Sequence, residues 1–378
     1  MNHADRLHGQ RSRTLRGWGA YLCGIGTATS IVVAMLLCGQ HGIGGPFLLN
    51  RFAQWGIHLP VPGRVSLPGP ILNELRALDA VVDGAGQSVQ GSEHTTFLVH
   101  PDPRLGWMLR SDIRLSAFIL HSPSALNLDP PVVYLRSDAT PSPMLQRYLK
   151  TYTRQRYTCS TDADGFRTTV PHVRSPRKVL MVGDSVLFGI GVNDEATMAS
   201  YLQQMVGPSL QVVNAGVGGY SGEQAADMAQ QLTSHTHYDA LIYIACQNDF
   251  MLKPGLSYSA QAQTVMRRFA ALKASVHGNL IVLLHTYLEY VADDMLYAWP
   301  NRVIAKTERL RNDLPMIARE AGVAYVDWTD VVNEYKRQEG TIFAPFALYA
   351  DHCHFSAAGN HLAAERLYGL LKVLSSSS

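Results

Sequence analysis

Short, mostly apolar runs recur through the second half of the chain, and longer stretches with apolar residues at helical spacing separate them. The runs lie at 179–182, 210–213, 240–245, 280–284 and 324–326, and the stretches lie near 195–206, 223–235, 259–276 and 303–320. Continuously apolar strands that alternate with helices are typical of a parallel sheet covered on both faces. The pattern predicts a doubly wound α/β domain over residues 177–378, whose last helix begins after Ser356 as its N-cap.

Residues 70–176 show a different pattern, with short β-like runs broken by clusters of Pro, Asp and Gly. These runs lie at 96–99, 131–135 and 167–169. Before them, Pro70 opens a stretch of helical spacing that ends near Val82, and proline is well tolerated at the first position of a helix. We therefore predict an N-terminal extension with a short helix and strands, preceded by a Gly- and Pro-rich tether over residues 40–69.

Residues 17–39 are apolar or small, and the chain has no Asp, Glu, Lys or Arg between Arg16 and Arg51. A spanning helix needs about 20 such residues. Four arginines precede this stretch, and positively charged flanks stay in the cytoplasm. The sequence therefore predicts a cytoplasmic segment 1–16, a single transmembrane anchor 17–39 in the inner membrane, and a periplasmic remainder. A buried core helix and a cleaved signal peptide are the alternatives, but no A-x-A-like cleavage site is visible near Gln40.

The composition excludes two classes of protein. A hydrophobic share of 47% is too high for a disordered chain. With 32 Lys and Arg against 30 Asp and Glu, the net charge is only +2, so no broad basic field exists to attract nucleic acid.

Polar and glycine-rich segments follow the predicted strands. In a doubly wound fold, chemistry takes place beyond the carboxyl ends of the strands. The segments that follow the first, second, third and fifth strands are Gly183-Asp184-Ser185, Asn214-Ala215-Gly216-Val217-Gly218-Gly219, Gln247-Asn248-Asp249 and Asp351-His352-Cys353-His354.

Together these segments contain the groups that acyl transfer from a serine requires. A serine hydroxyl becomes nucleophilic when a base takes its proton, and His354 can be that base for Ser185. Asp351, three residues before His354, can orient the imidazole and stabilise its cation. The oxyanion of the tetrahedral intermediate needs hydrogen-bond donors. The backbone N–H groups of Ser185 and Gly219 and the side-chain amide of Asn248 are the candidates.

These four segments resemble the motif blocks of the SGNH/GDSL hydrolases, and they occur in that family's order. The resemblance covers residues 179–372 and implies a three-layer α/β/α, flavodoxin-like fold. It also implies Ser185 as nucleophile, His354 as base, Asp351 as orienter, and an oxyanion hole formed by Ser185, Gly219 and Asn248. Two positions depart from the family pattern: Val186 replaces a leucine, and Cys246 replaces the glycine of the third block.

Three functions are compatible with this site. The first is a serine ester hydrolase acting on acyl esters, including acylated carbohydrate of the cell envelope. The second is an O-acyltransferase that passes the acyl group from the same serine to a sugar hydroxyl. The third is a binding domain without activity, against which the complete set of site residues argues. We predict no cofactor. We also predict no metal, because no Cys-x-x-Cys or His-x₃-His spacing accompanies residues 351–354.

Three cysteines lie outside the predicted span: Cys159, Cys246 and Cys353. An oxidising compartment permits one disulfide among three thiols. Cys246 and Cys353 both flank candidate site residues, so we expect them near each other at the carboxyl edge of the sheet.

Overall fold

The computed structural model describes residues 67–83, 98–120, 132–246, 249, 257–276, 279–291, 303–341, 344–351 and 353–376. The predicted cytoplasmic segment 1–16, the predicted anchor 17–39 and all but the end of the predicted tether lie outside these residues.

The extension consists of two short helices and antiparallel β-structure. Its elements are α1 (Gly69–Ala77), β1 (Val81–Asp83), β2 (Val99–Asp102), β3 (Gly106–Leu109), β4 (Arg114–Leu120), β5 (Val132–Arg136), α2 (Pro143–Tyr152) and β6 (Thr153–Ser160). One antiparallel sheet has the order β1-β5-β4-β6, and β2 pairs with β3 in a separate hairpin. The predicted helix ends earlier than expected, at Ala77, and Val82 lies in β1. The predicted run 131–135 corresponds to β5, whereas the run 96–99 meets β2 only at Val99. The third run, 167–169, forms no strand of a sheet, since Arg167 makes only isolated bridges to Thr161 and Asn214.

The following domain is built around a five-stranded parallel sheet. Its strands are β7 (Lys178–Gly183), β8 (Gln211–Gly216), β9 (Ala240–Ala245), β10 (Asn279–Leu284) and β11 (Ala324–Asp327). Their order is β8-β7-β9-β10-β11. This is the flavodoxin-like order, in which the direction of winding reverses between the first and third strands. The predicted α/β architecture of this domain is confirmed.

Helices connect these strands. They are α3 (Ser185–Phe188), α4 (Met198–Val206), α5 (Gly222–Thr233), α6 (Tyr258–Ser275), α7 (Leu288–Val291), α8 (Val303–Glu320), α9 (Trp328–Glu339), α10 (Ala344–Ala347) and α11 (Ala357–Ser376), with 3₁₀ turns at Asp194–Ala196 and Gly207–Ser209. Every residue of β9 is buried, as expected for a central strand covered on both faces. Extension residues such as Leu115 and Tyr157 are buried in the same hydrophobic core as residues of β7, β9 and β10. The extension therefore shares part of its core with the α/β domain.

The predicted transmembrane helix is wrong as a feature of this fold. In the part of the chain that the structure describes, no helix is long and apolar enough to cross a membrane. The reason is charge: even α11, the longest at 20 residues, carries Glu365, Arg366 and Lys372. The stretch 17–39 itself lies outside the described residues. We correct the fold class to an α/β domain with an N-terminal extension.

Candidate active site

The turn after β7 presents Ser185 at the carboxyl edge of the sheet. Asp184 is the N-cap of α3, and its side chain accepts a hydrogen bond of 2.9 Å from the backbone N–H of Val186. α3 ends after one turn at Gly189, which has the left-handed φ of 83° that glycine adopts without strain. Ser185 is the first helical residue and is only partly buried, whereas Asp184 and Val186 are buried. The hydroxyl therefore stands in a rigid turn.

The structure brings Ser185, His354 and Asp351 together. His354 Nε2 lies 2.9 Å from Ser185 Oγ, and His354 Nδ1 lies 2.7 Å from Asp351 Oδ2. An ionised carboxylate only accepts hydrogen bonds, so Nδ1 carries a proton and donates it to Asp351. In the neutral imidazole, Nε2 then accepts a hydrogen bond from the Ser185 hydroxyl. This arrangement can take the serine proton.

The Asp351 carboxylate is itself fixed by the backbone that follows it. Its Oδ1 accepts hydrogen bonds from the backbone N–H groups of Cys353 at 2.8 Å and His354 at 2.7 Å. Its side chain is 5% exposed, and that of His354 is 15% exposed. Burial by itself lowers the pKa of His354, but the attraction of the Asp351 carboxylate outweighs burial and raises that pKa above its ordinary value. The imidazolium that forms when the serine loses its proton is thus stabilised.

The end of β8 supports the serine turn from the neighbouring strand. The side-chain amide of Asn214 donates to the carbonyl of Leu187 at 3.1 Å, and its oxygen accepts from the backbone N–H of Gly216 at 3.0 Å. Both hydrogen bonds are buried. Gly216 lies against α3: a Cβ at this position would be 2.5 Å from the backbone nitrogen of Phe188. The predicted second block therefore positions the first.

Gly219, the predicted oxyanion donor, is exposed and has a φ of 80°, which favours glycine. The next residue, Tyr220, donates a hydrogen bond of 2.5 Å to the carbonyl of Trp107 in β3. The Trp107 ring lies 3.5 Å from where a Cβ of Gly219 would be. The extension therefore reaches the edge of the candidate site.

Asn248, the other predicted donor, lies outside the described residues, as does Gln247. Asp249 is described, and its carboxylate accepts a hydrogen bond of 2.7 Å from the hydroxyl of Tyr243. Burial raises the pKa of Asp249 to about 7, and Asp184 adds to this effect against the opposing charge of Arg268. The third block thus carries a buried carboxyl group whose pKa lies close to neutral pH.

The comparison with family models identifies the domain. The model of the GDSL-like lipase/acylhydrolase family matches residues 181–362. Residues 181–362 are therefore a GDSL-like lipase/acylhydrolase domain, which makes the chain a serine ester hydrolase. The match spans the serine turn, the end of β8 and the segment that carries Asp351 and His354.

Several solved structures are similar to this GDSL-like hydrolase. A lipolytic protein of the G-D-S-L family from Veillonella parvula DSM 2008 is 16% identical, with 52% of this chain and 98% of that chain covered and a TM-score of 0.41. An acetylxylan esterase from Geobacillus stearothermophilus is 19% identical, with 51% and 93% covered and a TM-score of 0.37. A carbohydrate acetylesterase from Sinorhizobium meliloti is 13% identical, with 52% and 99% covered and a TM-score of 0.38. No curated protein matches the chain.

Sequence reasoning misses two buried residues of the hydrolase that lie near the candidate site. His285 directly follows β10 and is fully buried, next to Cys246 and Cys353. Arg167, in the extension, is fully buried and ion-paired with Asp194 at 2.7 Å. The signal for His285 is its position after an apolar strand, where the other candidate residues also stand. Arg167 has no such signal, because an arginine is rarely fully buried.

Proposed function

We propose that this GDSL-like hydrolase cleaves acyl esters with Ser185 as nucleophile, His354 as general base and Asp351 as the residue that orients the imidazole. The observation that carries the proposal is the continuous chain of contacts from Ser185 Oγ to His354 at 2.9 Å and from His354 to Asp351 at 2.7 Å. A base within hydrogen-bond reach of a serine and a carboxylate behind that base are the geometric requirements for serine nucleophilic catalysis.

Acylation begins when Ser185 Oγ attacks the ester carbonyl and its proton moves to His354 Nε2. The negative charge that develops on the carbonyl oxygen is stabilised by N–H donors, for which we propose the backbone of Ser185, the backbone of Gly219 and the side chain of Asn248. The tetrahedral intermediate collapses, the C–O bond to the alcohol breaks, and His354 returns the proton to the leaving oxygen. The Asp351 carboxylate stabilises the imidazolium throughout.

Deacylation repeats these steps with water. His354 takes a proton from the water, the resulting nucleophile attacks the acyl-enzyme, and the acid is released as Ser185 recovers its proton. The substrate class we propose is an acyl ester, including acylated carbohydrate. An O-acyltransferase would use the same acyl-enzyme and differ only in the acceptor, so the acceptor has to be measured.

The test combines active-site labelling with turnover by the full chain. A fluorescent organophosphonate should label Ser185 rapidly at neutral pH, and p-nitrophenyl esters of short and long acids should be hydrolysed. Ser185→Ala should abolish labelling and turnover, and Asp351→Asn should lower kcat by about 10⁴-fold by favouring the wrong imidazole tautomer. The matched control is Ser221→Ala, because Ser221 is a helix cap whose hydroxyl accepts the N–H of Gln224 at 3.3 Å.

The expected result is that Ser221→Ala keeps both labelling and turnover. An added oligosaccharide in the same reactions measures the acceptor: acylated sugar formed faster than free acid would replace the hydrolase proposal by the transferase. A folded Ser185→Ala protein with wild-type esterase activity would refute the mechanism altogether.

A further inference from the structure

Three buried side chains of the types that ligate metals lie close together near the carboxyl ends of two strands. Cys246 follows β9, His285 follows β10, and Cys353 stands between Asp351 and His354. Cys246 and His285 are 0% exposed and Cys353 is 6% exposed. One ligating atom from each residue lies within 4.8 Å of the other two. We call these three residues the Cys₂His cluster.

The spacing of the cluster fits a metal ion better than a disulfide. The two Sγ atoms are 3.9 Å apart, and Cys246 Sγ is 3.6 Å from His285 Nδ1. With Zn–S bonds of about 2.3 Å and Zn–N bonds of about 2.0–2.1 Å, a tetrahedral zinc ion holds two sulfurs about 3.8 Å apart and a sulfur and a nitrogen about 3.6 Å apart. A disulfide would need the sulfurs at about 2.0 Å. Both distances therefore match edges of a tetrahedral zinc site.

The imidazole of His285 is held in the tautomer that metal binding requires. Its Nε2 lies 2.9 Å from the backbone carbonyl of Cys353. A carbonyl only accepts hydrogen bonds, so Nε2 carries the proton and Nδ1 keeps its lone pair on the side of Cys246. A backbone carbonyl that accepts from the second ring nitrogen is the usual support of a metal-bound histidine.

We propose that the Cys₂His cluster binds Zn²⁺ through Cys246 Sγ, Cys353 Sγ and His285 Nδ1. Binding displaces one proton from each thiol, so the ion and its two thiolates are neutral together, which suits a buried position. Soft thiolate donors also favour Zn²⁺ over the hard cations Mg²⁺ and Ca²⁺. The fourth position is left to a small ligand such as water.

The proposed ion has a positioning role. It would join the ends of β9 and β10 to the segment 351–354, which carries the proposed orienter and the proposed base. It would not touch the substrate. The site therefore goes beyond the proposed ester hydrolysis, and it can be present or absent independently of that proposal.

The experiment measures metal binding directly on the full chain, purified without a metal-affinity step and stripped with a chelator under reducing conditions. Co²⁺ should bind one per chain and produce a thiolate-to-cobalt charge-transfer band in the near ultraviolet. Zn²⁺ should remove that band by displacement and raise the thermal midpoint of unfolding. Competition with a chromophoric chelator gives the Zn²⁺ affinity, which we expect below a Kd of about 1 μM.

The variants identify the ligands. Cys246→Ser, Cys353→Ser and His285→Gln should each weaken Zn²⁺ binding at least about 10-fold. The matched control is Cys159→Ser, since Cys159 is also a buried thiol but lies in β6 of the extension; it should bind Zn²⁺ as the wild type does.

Three results would overturn the proposal. One is a reduced wild-type chain that takes up no Co²⁺ or Zn²⁺ at 1:1. Another is equal loss of binding in Cys159→Ser. The third is a Cys246–Cys353 disulfide in the isolated protein, which would remove both sulfur donors. Wild-type ester hydrolysis by a folded Ser185→Ala protein that still binds one Co²⁺ would refute the proposed nucleophile and leave the metal site standing, so the two proposals fail separately.

Discussion

Arg167 provides the sharpest test of how the extension supports the serine turn. Its guanidinium is fully buried and pairs with Asp194 at 2.7 Å. It donates to the backbone carbonyls of Phe188 at 3.1 Å and Val192 at 3.0 Å, and it lies 5.0 Å from the centre of the Phe188 ring. These residues lie three to nine positions after Ser185 in the chain. We therefore expect Arg167 to hold the nucleophile's turn in place.

The magnitude follows from what Arg167→Met would leave behind. Methionine keeps much of the side-chain volume, but it removes the donors of two buried carbonyls and the partner of Asp194. Removing one member of a buried ion pair costs about 3–5 kcal/mol. Asp194 is 18% exposed and also accepts hydrogen bonds from the backbone and hydroxyl of Ser160. These contacts relieve part of the cost, so we expect the free energy of unfolding to fall by about 3 kcal/mol.

Urea denaturation of the wild type, Arg167→Met, Asp194→Asn and the double variant measures this loss and the coupling between the two residues. The double variant should lose less than the two single losses added together, because the second substitution removes a charge that is already unpaired. The control is Arg177→Met: Arg177 pairs with Asp239 at 3.2 Å, but its side chain is 61% exposed, so this variant should lose less than about 1 kcal/mol. If Arg167→Met is no more destabilised than Arg177→Met, the reasoning about the buried pair is wrong.

Two further predictions concern the second and third blocks. Gly216→Ala should lower kcat and the free energy of unfolding, because the new Cβ would lie 2.5 Å from the backbone nitrogen of Phe188. Gly218→Ala should behave as wild type, since no atom lies within 4 Å of the Cβ that it adds. Equal effects of the two substitutions in steady-state kinetics and urea denaturation would contradict this prediction. Because burial raises the pKa of Asp249 from 3.8 to about 7, the folded chain holds a proton that the unfolded chain releases between these values. The free energy of unfolding should therefore fall as the pH rises from about 4 to 7, by about 2–4 kcal/mol, the lower value allowing for the partial exposure of the residue. Asp249→Asn should lack this fall, and parallel stability profiles of the two proteins from pH 4 to 8 would refute the assignment.

The sequence by itself determined the elements whose signal is local. Continuously apolar runs such as 240–245 predict buried strands, and β9 (Ala240–Ala245) is buried at every residue. The motif blocks predict which side chains stand at the sheet edge, because each block follows its strand within a few residues. Ser185, His354 and Asp351 could be proposed on that basis before any distance was known.

The structure decided what depends on pairing between distant segments. β4 and β6 were not predicted, because their alternating patterns acquire a buried face only when they pair with each other in the antiparallel sheet. The predicted transmembrane helix has no counterpart among the described helices, none of which is long and apolar enough to cross a membrane.

The Cys₂His cluster illustrates the same limit at the site. The sequence predicted that Cys246 and Cys353 lie near each other, and it predicted no metal, since residues 351–354 have no ligand spacing around them. His285 enters only because β10 lies next to β9 in the parallel sheet, with Leu284 opposite Ala245. Local patterns determine which residues end a strand, whereas the order and register of the strands determine which of those ends meet.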